Sequence, residues 1–236
     1  MSDASIHSVG YRPSDFPTQP NAVTIPNDLR HLFGNIDIYL FDQLLKGRLT
    51  PDMTILDAGC GDGRNLVYLM RCGCRAFGID ETAEAIEEIR LLATRIAPDL
   101  PIENFQVGKV DALPFPDENF DAVLCNAVLH FAEDEHHFNR MLRELWRVLK
   151  PDGLFFSRLA SSIGIADRIE HIGGQRYRLP DGTDRFLVDE EMLLSLTNQL
   201  GGQLVDPIKT TNVQGKRCMT TWVLKKGSAP SLTSSP

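Results

Sequence analysis

Ile55-Leu56-Asp57-Ala58-Gly59-Cys60-Gly61-Asp62-Gly63 is the stretch on which the reading of this chain turns. A short apolar run ends in an aspartate, three glycines follow at alternate positions, and a helical pattern begins. Glycine tolerates positive φ and carries no Cβ, so the loop can turn sharply from strand to helix and approach a ligand closely. Seventeen residues after Gly63 the next apolar run, Ala76-Phe77-Gly78-Ile79-Asp80, also ends in an aspartate. A carboxylate there can accept both hydroxyls of a ribose, so loop and Asp80 together indicate an adenosine-bearing ligand.

Outward from the loop, short apolar runs alternate with helical patterns, the signature of βα units feeding a parallel sheet. Strands are expected near 53–57, 75–79, 103–107, 120–125 and 153–159, with helices near 63–72, 82–96 and 134–149. The last helix carries Met141, Leu142, Leu145, Trp146 and Leu149 on one face before Pro151-Asp152-Gly153 stops it. After a Gly- and Arg-rich insertion at 161–188, which reads as a hairpin lid around Leu179-Pro180-Asp181-Gly182, a helix is expected to return at 189–200. Runs at 203–208 and 217–224 can close the sheet antiparallel. The fold expected is α/β: a doubly wound, mostly parallel sheet of seven strands. A leading helix over 29–49 precedes it, and residues 29–226 form the domain. Residues 1–28, with Pro13, Pro17, Pro20 and Pro26, read as an arm, and 227–236 as a disordered Ser/Pro-rich tail.

Charge separates the adenosine ligands. A pyrophosphate wants a helix N-terminus free of negative charge, whereas Asp57, Asp62, Asp80 and Asp111 are expected to share one cleft with only Arg64 nearby. Such a field suits a cationic sulfonium and amino group. The spacing is also Gly-x-Gly-x-Gly after an acidic residue, not the Gly-x-Gly-x-x-Gly of nicotinamide and flavin sites.

With these residues in view the chain resembles the class I S-adenosylmethionine-dependent methyltransferases. The resemblance spans roughly 50–224 and rests on Ile55 to Gly63, Asp80, Asp111-Ala112 and Leu149-Lys150-Pro151-Asp152-Gly153. It implies a Rossmann-like methyltransferase fold and S-adenosylmethionine as cofactor, with S-adenosylhomocysteine as product. It further implies that Gly59, Gly61 and Gly63, with Cys60 between them, line the methionine portion. Asp57 would orient the loop and the methionine amine, Asp80 would hold the ribose, and Asp111 with the Ala112 backbone would read the adenine edge. Asp152 stands where the family usually has glycine, a change confined to a turn.

After the fourth strand, Asn126-Ala127-Val128-Leu129-His130-Phe131 lies where the family places cofactor- and acceptor-side residues. His130 is the candidate general base, set against its alternative as a packed histidine bonded to backbone. Tyr11 in the arm and Tyr39 in the leading helix are candidates for touching ligand or acceptor, while His136 and His137 read as solvated. No Pro-Pro-aromatic sequence follows Asn126, as it does in nucleic-acid amino methyltransferases.

Composition excludes several classes. The 236 residues carry a formal charge of −8 and a pI near 5.2, against a phosphate-binding face and a nucleic-acid partner. Five cysteines without a Cys-x-x-Cys pair form no zinc pattern and fit a reducing compartment. No apolar run is long enough to span a bilayer and no basic-apolar leader opens the chain, so cytoplasmic residence without a membrane partner is expected. The expected partner is a small-molecule methyl acceptor. A non-catalytic S-adenosylmethionine-binding protein and, less favoured, an NAD-dependent oxidoreductase remain the competing readings.

Overall fold

The computed structural model describes residues 29–228. The chain forms β1 (Thr54–Ala58), β2 (Arg75–Asp80), β3 (Phe105–Val107), β4 (Phe120–Asn126) and β5 (Leu149–Ser161), then β6 (Glu170–Gly173), β7 (Arg176–Arg178) and β8 (Asp184–Phe186). β9 (Gly202–Leu204), β10 (Lys209–Val213) and β11 (Arg217–Lys226) complete the strands. Helices are α1 (Leu29–Phe33), α2 (Ile38–Leu45), α3 (Val67–Arg71), α4 (Ala83–Ile96), α5 (Glu135–Val148) and α6 (Glu190–Gln199).

Seven strands lie side by side in the order β10-β11-β5-β4-β1-β2-β3. Strands β1 to β5 pair in parallel, and β11 is antiparallel to both β5 and β10. β9 pairs with Leu224–Lys226 of β11, beyond the stretch that β10 occupies, and so shares that edge. The mostly parallel, seven-position sheet is the one the alternating pattern implied.

Side chains alternate across a strand, so each strand feeds two cores. Leu56, Val123, Phe155 and Trp222 pack with Leu142, Leu145 and Trp146 of α5 and Leu193 of α6. Ile55, Leu124, Phe156 and Val223 pack on the other face with Leu40 of α2, Leu69 of α3 and Ile89 of α4. Both faces are therefore covered, as strands apolar on both sides require.

Several elements differ from the sequence reading. The leading helix is two helices, because Gly34 takes φ +65° and Asp37 starts a new one, its carboxylate accepting the Tyr39 N–H at 2.9 Å. The helix expected from residue 63 begins only at Val67, since Gly63 and Leu66 donate to Cys60 and Gly63 carbonyls in tight turns. The run expected at 203–208 is interrupted by Asp206-Pro207, and β10 follows it unforeseen. The 161–188 segment forms three antiparallel strands, β6-β7-β8, where a hairpin was expected. Tyr11, the arm and most of the tail lie outside the described residues.

Asp206 clamps the end of α2 to the sheet edge. Its carboxylate accepts from Arg48 at 2.7 Å, Gln43 at 2.9 Å and Lys46 at 3.0 Å. Burial works to raise its pKa, but Arg48, Gln43 and Lys46 hold it well below the usual carboxylate range. Asp206→Asn is expected to lower stability by about 1–3 kcal/mol, read as a lower denaturation midpoint in urea at neutral pH.

Candidate functional site

A cleft of about 510 Å³ opens at the carboxyl ends of β1, β2, β3 and β4, where ligands bind in open α/β sheets. Its floor is the glycine turn. Gly59, Gly61 and Gly63 take φ +78°, +51° and +84°, a region that disfavours any side chain. A Cβ on Gly59 would lie 2.3 Å from Val128, whereas one on Gly61 would meet no protein atom and project into open space. Gly63 serves the fold instead, since a Cβ there would strike Ile89 of α4 at 2.6 Å.

Asp80 stands beside the turn. One carboxylate oxygen accepts the Gly61 N–H at 2.9 Å and the other the Thr82 N–H at 3.0 Å. An ionised carboxylate has about four acceptor directions, so each oxygen retains capacity toward the cleft. Next to the turn Asp57 is fully buried and is not itself on the cleft wall; neither of its oxygens makes a hydrogen bond of good geometry, although Asn65 lies close enough to favour its charged form. Burial pushes its carboxyl up to about 7, with Asp80 adding to the rise and Arg64 and Asn65 opposing it. Asn126, at the end of β4, lines the cleft with its amide nitrogen and oxygen both buried and unpartnered.

The structure brings together Gly59, Gly61, Asp80, Asp111 and Asn126 on the cleft wall. It revises other expectations. Cys60 turns its sulfur toward Gly78 in the sheet, and burial raises its thiol pKa. Ala112 is not on the wall, and its N–H donates to the Lys109 carbonyl at 3.2 Å. Tyr39 is also off the wall: its hydroxyl is hydrogen-bonded to Thr211 of β10.

His130 departs furthest from its expected role. It is 6% exposed and accepts the Ala160 N–H through Nδ1 at 3.2 Å, which leaves the neutral ring only an N–H on Nε2. Burial first, then Arg185, Arg217 and Arg158, push its pKa down to about 4. The lone pair a general base needs is already taken, so the packed alternative describes it.

The wall also holds residues that the sequence reading missed. His137, Arg140 and Met141 lie one helical turn apart on α5, and Lys109 and Val110 come from the loop after β3. His137 faces this wall, its Nδ1 accepting the Glu133 N–H at 3.2 Å. Arg140 pairs with Asp111 at 2.8 Å, so the cleft is less acidic than the sequence implied. The signal available was the i, i+3, i+4 spacing of His137, Arg140 and Met141, hidden by their polarity.

A glycine turn, a carboxylate ending β2 and a seven-position sheet closed antiparallel by β10 and β11 define the class I methyltransferase type of architecture. Residues 56–157 match the methyltransferase domain family. Over that stretch the chain is similar to methyltransferases, and its fold is that of the S-adenosylmethionine-dependent class. It is 31% identical over 158 residues to the uncharacterized methyltransferase YcgJ of Bacillus subtilis, covering 63% of this chain and 57% of that one. It is also 31% identical over 136 residues to the malonyl-acyl-carrier-protein O-methyltransferase of Erwinia billingiae, covering 56% of this chain and 48% of that one. The chain thus spans about half the length of these curated relatives. Among solved structures, the 1,6-didemethyltoxoflavin N1-methyltransferase of Burkholderia thailandensis, crystallised with 1,6-didemethyltoxoflavin and S-adenosylhomocysteine, superposes with a TM-score of 0.61. That match covers 83% of this chain and 80% of the other at 20% identity, a likeness of fold.

Proposed function

We propose that this protein is an S-adenosylmethionine-dependent methyltransferase acting by direct methyl displacement on a small-molecule acceptor, with S-adenosylhomocysteine as product. Asp57 carries the reading: a fully buried carboxylate with neither oxygen in a hydrogen bond of good geometry, next to a glycine turn, calls for a cation near it. An amino-acid ammonium is such a cation. The open space at Gly61 and the unpartnered amide oxygen of Asn126 fit the same methionyl end, and the spare capacity of Asp80 fits a vicinal diol. Asp111, steadied by Arg140, borders the adenine side.

The sulfonium, when bound, supplies a methyl group that is already activated. The work left to the chain is to align the acceptor and exclude water, and no covalent nucleophile is needed. His130 takes no proton in this scheme. His130→Asn, whose amide oxygen can still accept the Ala160 N–H, is expected to keep turnover within a few-fold and to leave the pH profile above pH 5 unchanged. His130→Phe strands that buried N–H and is expected to cost about 1–3 kcal/mol in denaturant unfolding.

Small-molecule use is supported by the small heterocyclic acceptor named for one solved neighbour and by the net charge of −8, which disfavours nucleic acid. No helix among the described residues is long and apolar enough to cross a membrane. The five cysteines are free, which supports a reducing, cytoplasmic setting. Calorimetry tests the reading: S-adenosylhomocysteine is expected to give saturable heat and NAD none. The reverse result would return the protein to the oxidoreductases, and cofactor binding without turnover on any acceptor would make it a sensor.

A further inference from the structure

Among the described residues, the buried side-chain polar atoms that lack a hydrogen-bond partner are not scattered. Apart from Nε of Arg71, all belong to Asp57, Asn126, Arg158 and Thr221. Strand register places these four on one face of the sheet. Asp57 lies opposite Leu124, two residues before Asn126; Asn126 lies opposite Arg158; and Arg158 lies opposite Thr221. Adjacent strands are about 4.8 Å apart, so Asn126, Arg158 and Thr221 form a row about 10 Å long that starts on the cleft wall.

The rest of that face is apolar, with Ile55, Leu124, Phe156 and Val223 in the core. The pattern changes on three neighbouring strands at once, at the end of the sheet where ligands bind. Each unpartnered group is worse off than it was in water, so stability alone gives no reason for the row. Its chemistry is specific. Arg158 gives its Nη1 to Asp37 at 3.0 Å, and its guanidinium lies 5.3 Å from the centre of the Tyr39 ring. Its Nε has no partner. The Nε–Nη2 edge that remains is the planar fork that fits a carboxylate side-on. The Asn126 amide nitrogen and the Thr221 hydroxyl add donors on either side.

We infer that the row Asn126–Arg158–Thr221 is the acceptor subsite and that it anchors an acceptor bearing a carboxylate, an inference that rests on the methyltransferase reading above. The surrounding charge agrees with an anion. Arg185 and Arg217 join Arg158 in acting on His130. Asp37 and Asp181 offset these cations only in part, Asp37 by its ion pair with Arg158 and Asp181 through its proximity to Arg217 and Arg185. The tyrosine ring against Arg158 suits an acceptor with a flat apolar body beside its carboxylate.

The test uses the full chain saturated with S-adenosylhomocysteine and titrated by calorimetry with acetate, benzoate and inorganic phosphate. Benzoate, or acetate more weakly, is expected to bind. Thr221→Val, nearly isosteric, is expected to weaken that binding about tenfold, the size of one hydrogen bond to a charged group. Arg158→Gln should weaken it further, with S-adenosylhomocysteine affinity in both variants within twofold of the original. The subsite is overturned if no carboxylate gives heat, if phosphate binds in preference to both carboxylates, or if Thr221→Val leaves carboxylate affinity unchanged. Absence of heat from S-adenosylhomocysteine itself is a separate result, and it removes the cofactor reading together with this one.

Discussion

Replacing Asp57 by Asn is expected to raise the melting temperature of the ligand-free protein at pH 8 while weakening its hold on S-adenosylhomocysteine. Burial pushes this carboxyl from 3.8 up to about 7. The folded state therefore binds a proton that the unfolded state has released between pH ~4 and ~7. The stability tied to that proton is complete below pH ~4 and is lost as pH rises through ~7, amounting to about 4 kcal/mol by pH 8. Asparagine carries no charge to desolvate, but its amide inherits the same partnerless site, so a net gain of about 1–3 kcal/mol is expected. That corresponds to several degrees for a domain of this size. At pH 5 the gain should nearly vanish, because the aspartate is then protonated. Scanning calorimetry at the two pH values decides the first point, since an equal shift at both would show that Asp57 is not charged when unliganded; undiminished S-adenosylhomocysteine affinity would show that it is not the ammonium's partner.

His130 sharpens this prediction because its linkage has the opposite sign. With its pKa lowered from 6.5 to about 4, the folded protein lacks a proton that the unfolded chain binds across that window. Its contribution to stability therefore rises with pH from ~4 to ~6.5. In the unaltered protein the two groups nearly cancel over this range. Asp57→Asn removes one of them and should expose a stability that climbs between pH 4 and 6.5. Ligand binding should act similarly, since an ammonium over Asp57 favours the carboxylate. Proton release near pH 6 should then appear as a buffer-dependent heat of binding.

What was legible in the sequence is what a local pattern can encode. The glycine turn, the aspartate ending β2 and the alternation of runs and helices each lie within a few consecutive residues, and each determines its own backbone. The break at Gly34 was missed because apolar residues continue at helical spacing through it, although the glycine takes φ +65°. The role of His130 depended on a partner, the Ala160 amide, contributed by β5. The α5 wall of the cleft was missed because His137 and Arg140 are polar residues on a helix whose apolar face points elsewhere. The polar row is the extreme case. Asn126, Arg158 and Thr221 come from three strands distant in sequence, and only strand register makes them neighbours.

Asp80→Ala is expected to reduce S-adenosylhomocysteine affinity at least about 100-fold. Two hydroxyl-to-carboxylate hydrogen bonds at about 1.5–3 kcal/mol each would be lost. The same substitution frees the Gly61 and Thr82 N–H groups, which Asp80 now holds at 2.9 and 3.0 Å, so a loosened turn alone would also weaken binding. The ligand's own hydroxyls separate these causes. If Asp80 holds the ribose, removing both hydroxyls from the ligand should cost the unaltered protein nearly as much as the alanine substitution does, and should cost the variant almost nothing. The two changes delete the same bonds, so their effects cannot add. If Asp80 only ties the turn to the start of α4, the dideoxy ligand will bind the unaltered protein as well as its parent does. The penalty of the variant will then be the same for both ligands. Asp80→Asn lies between these cases: its amide oxygen can retain one of the two backbone N–H groups, but the charge is gone. A loss for Asn close to that for Ala would assign most of the affinity to the charged acceptor, whereas a small loss would assign it to the geometry of the turn.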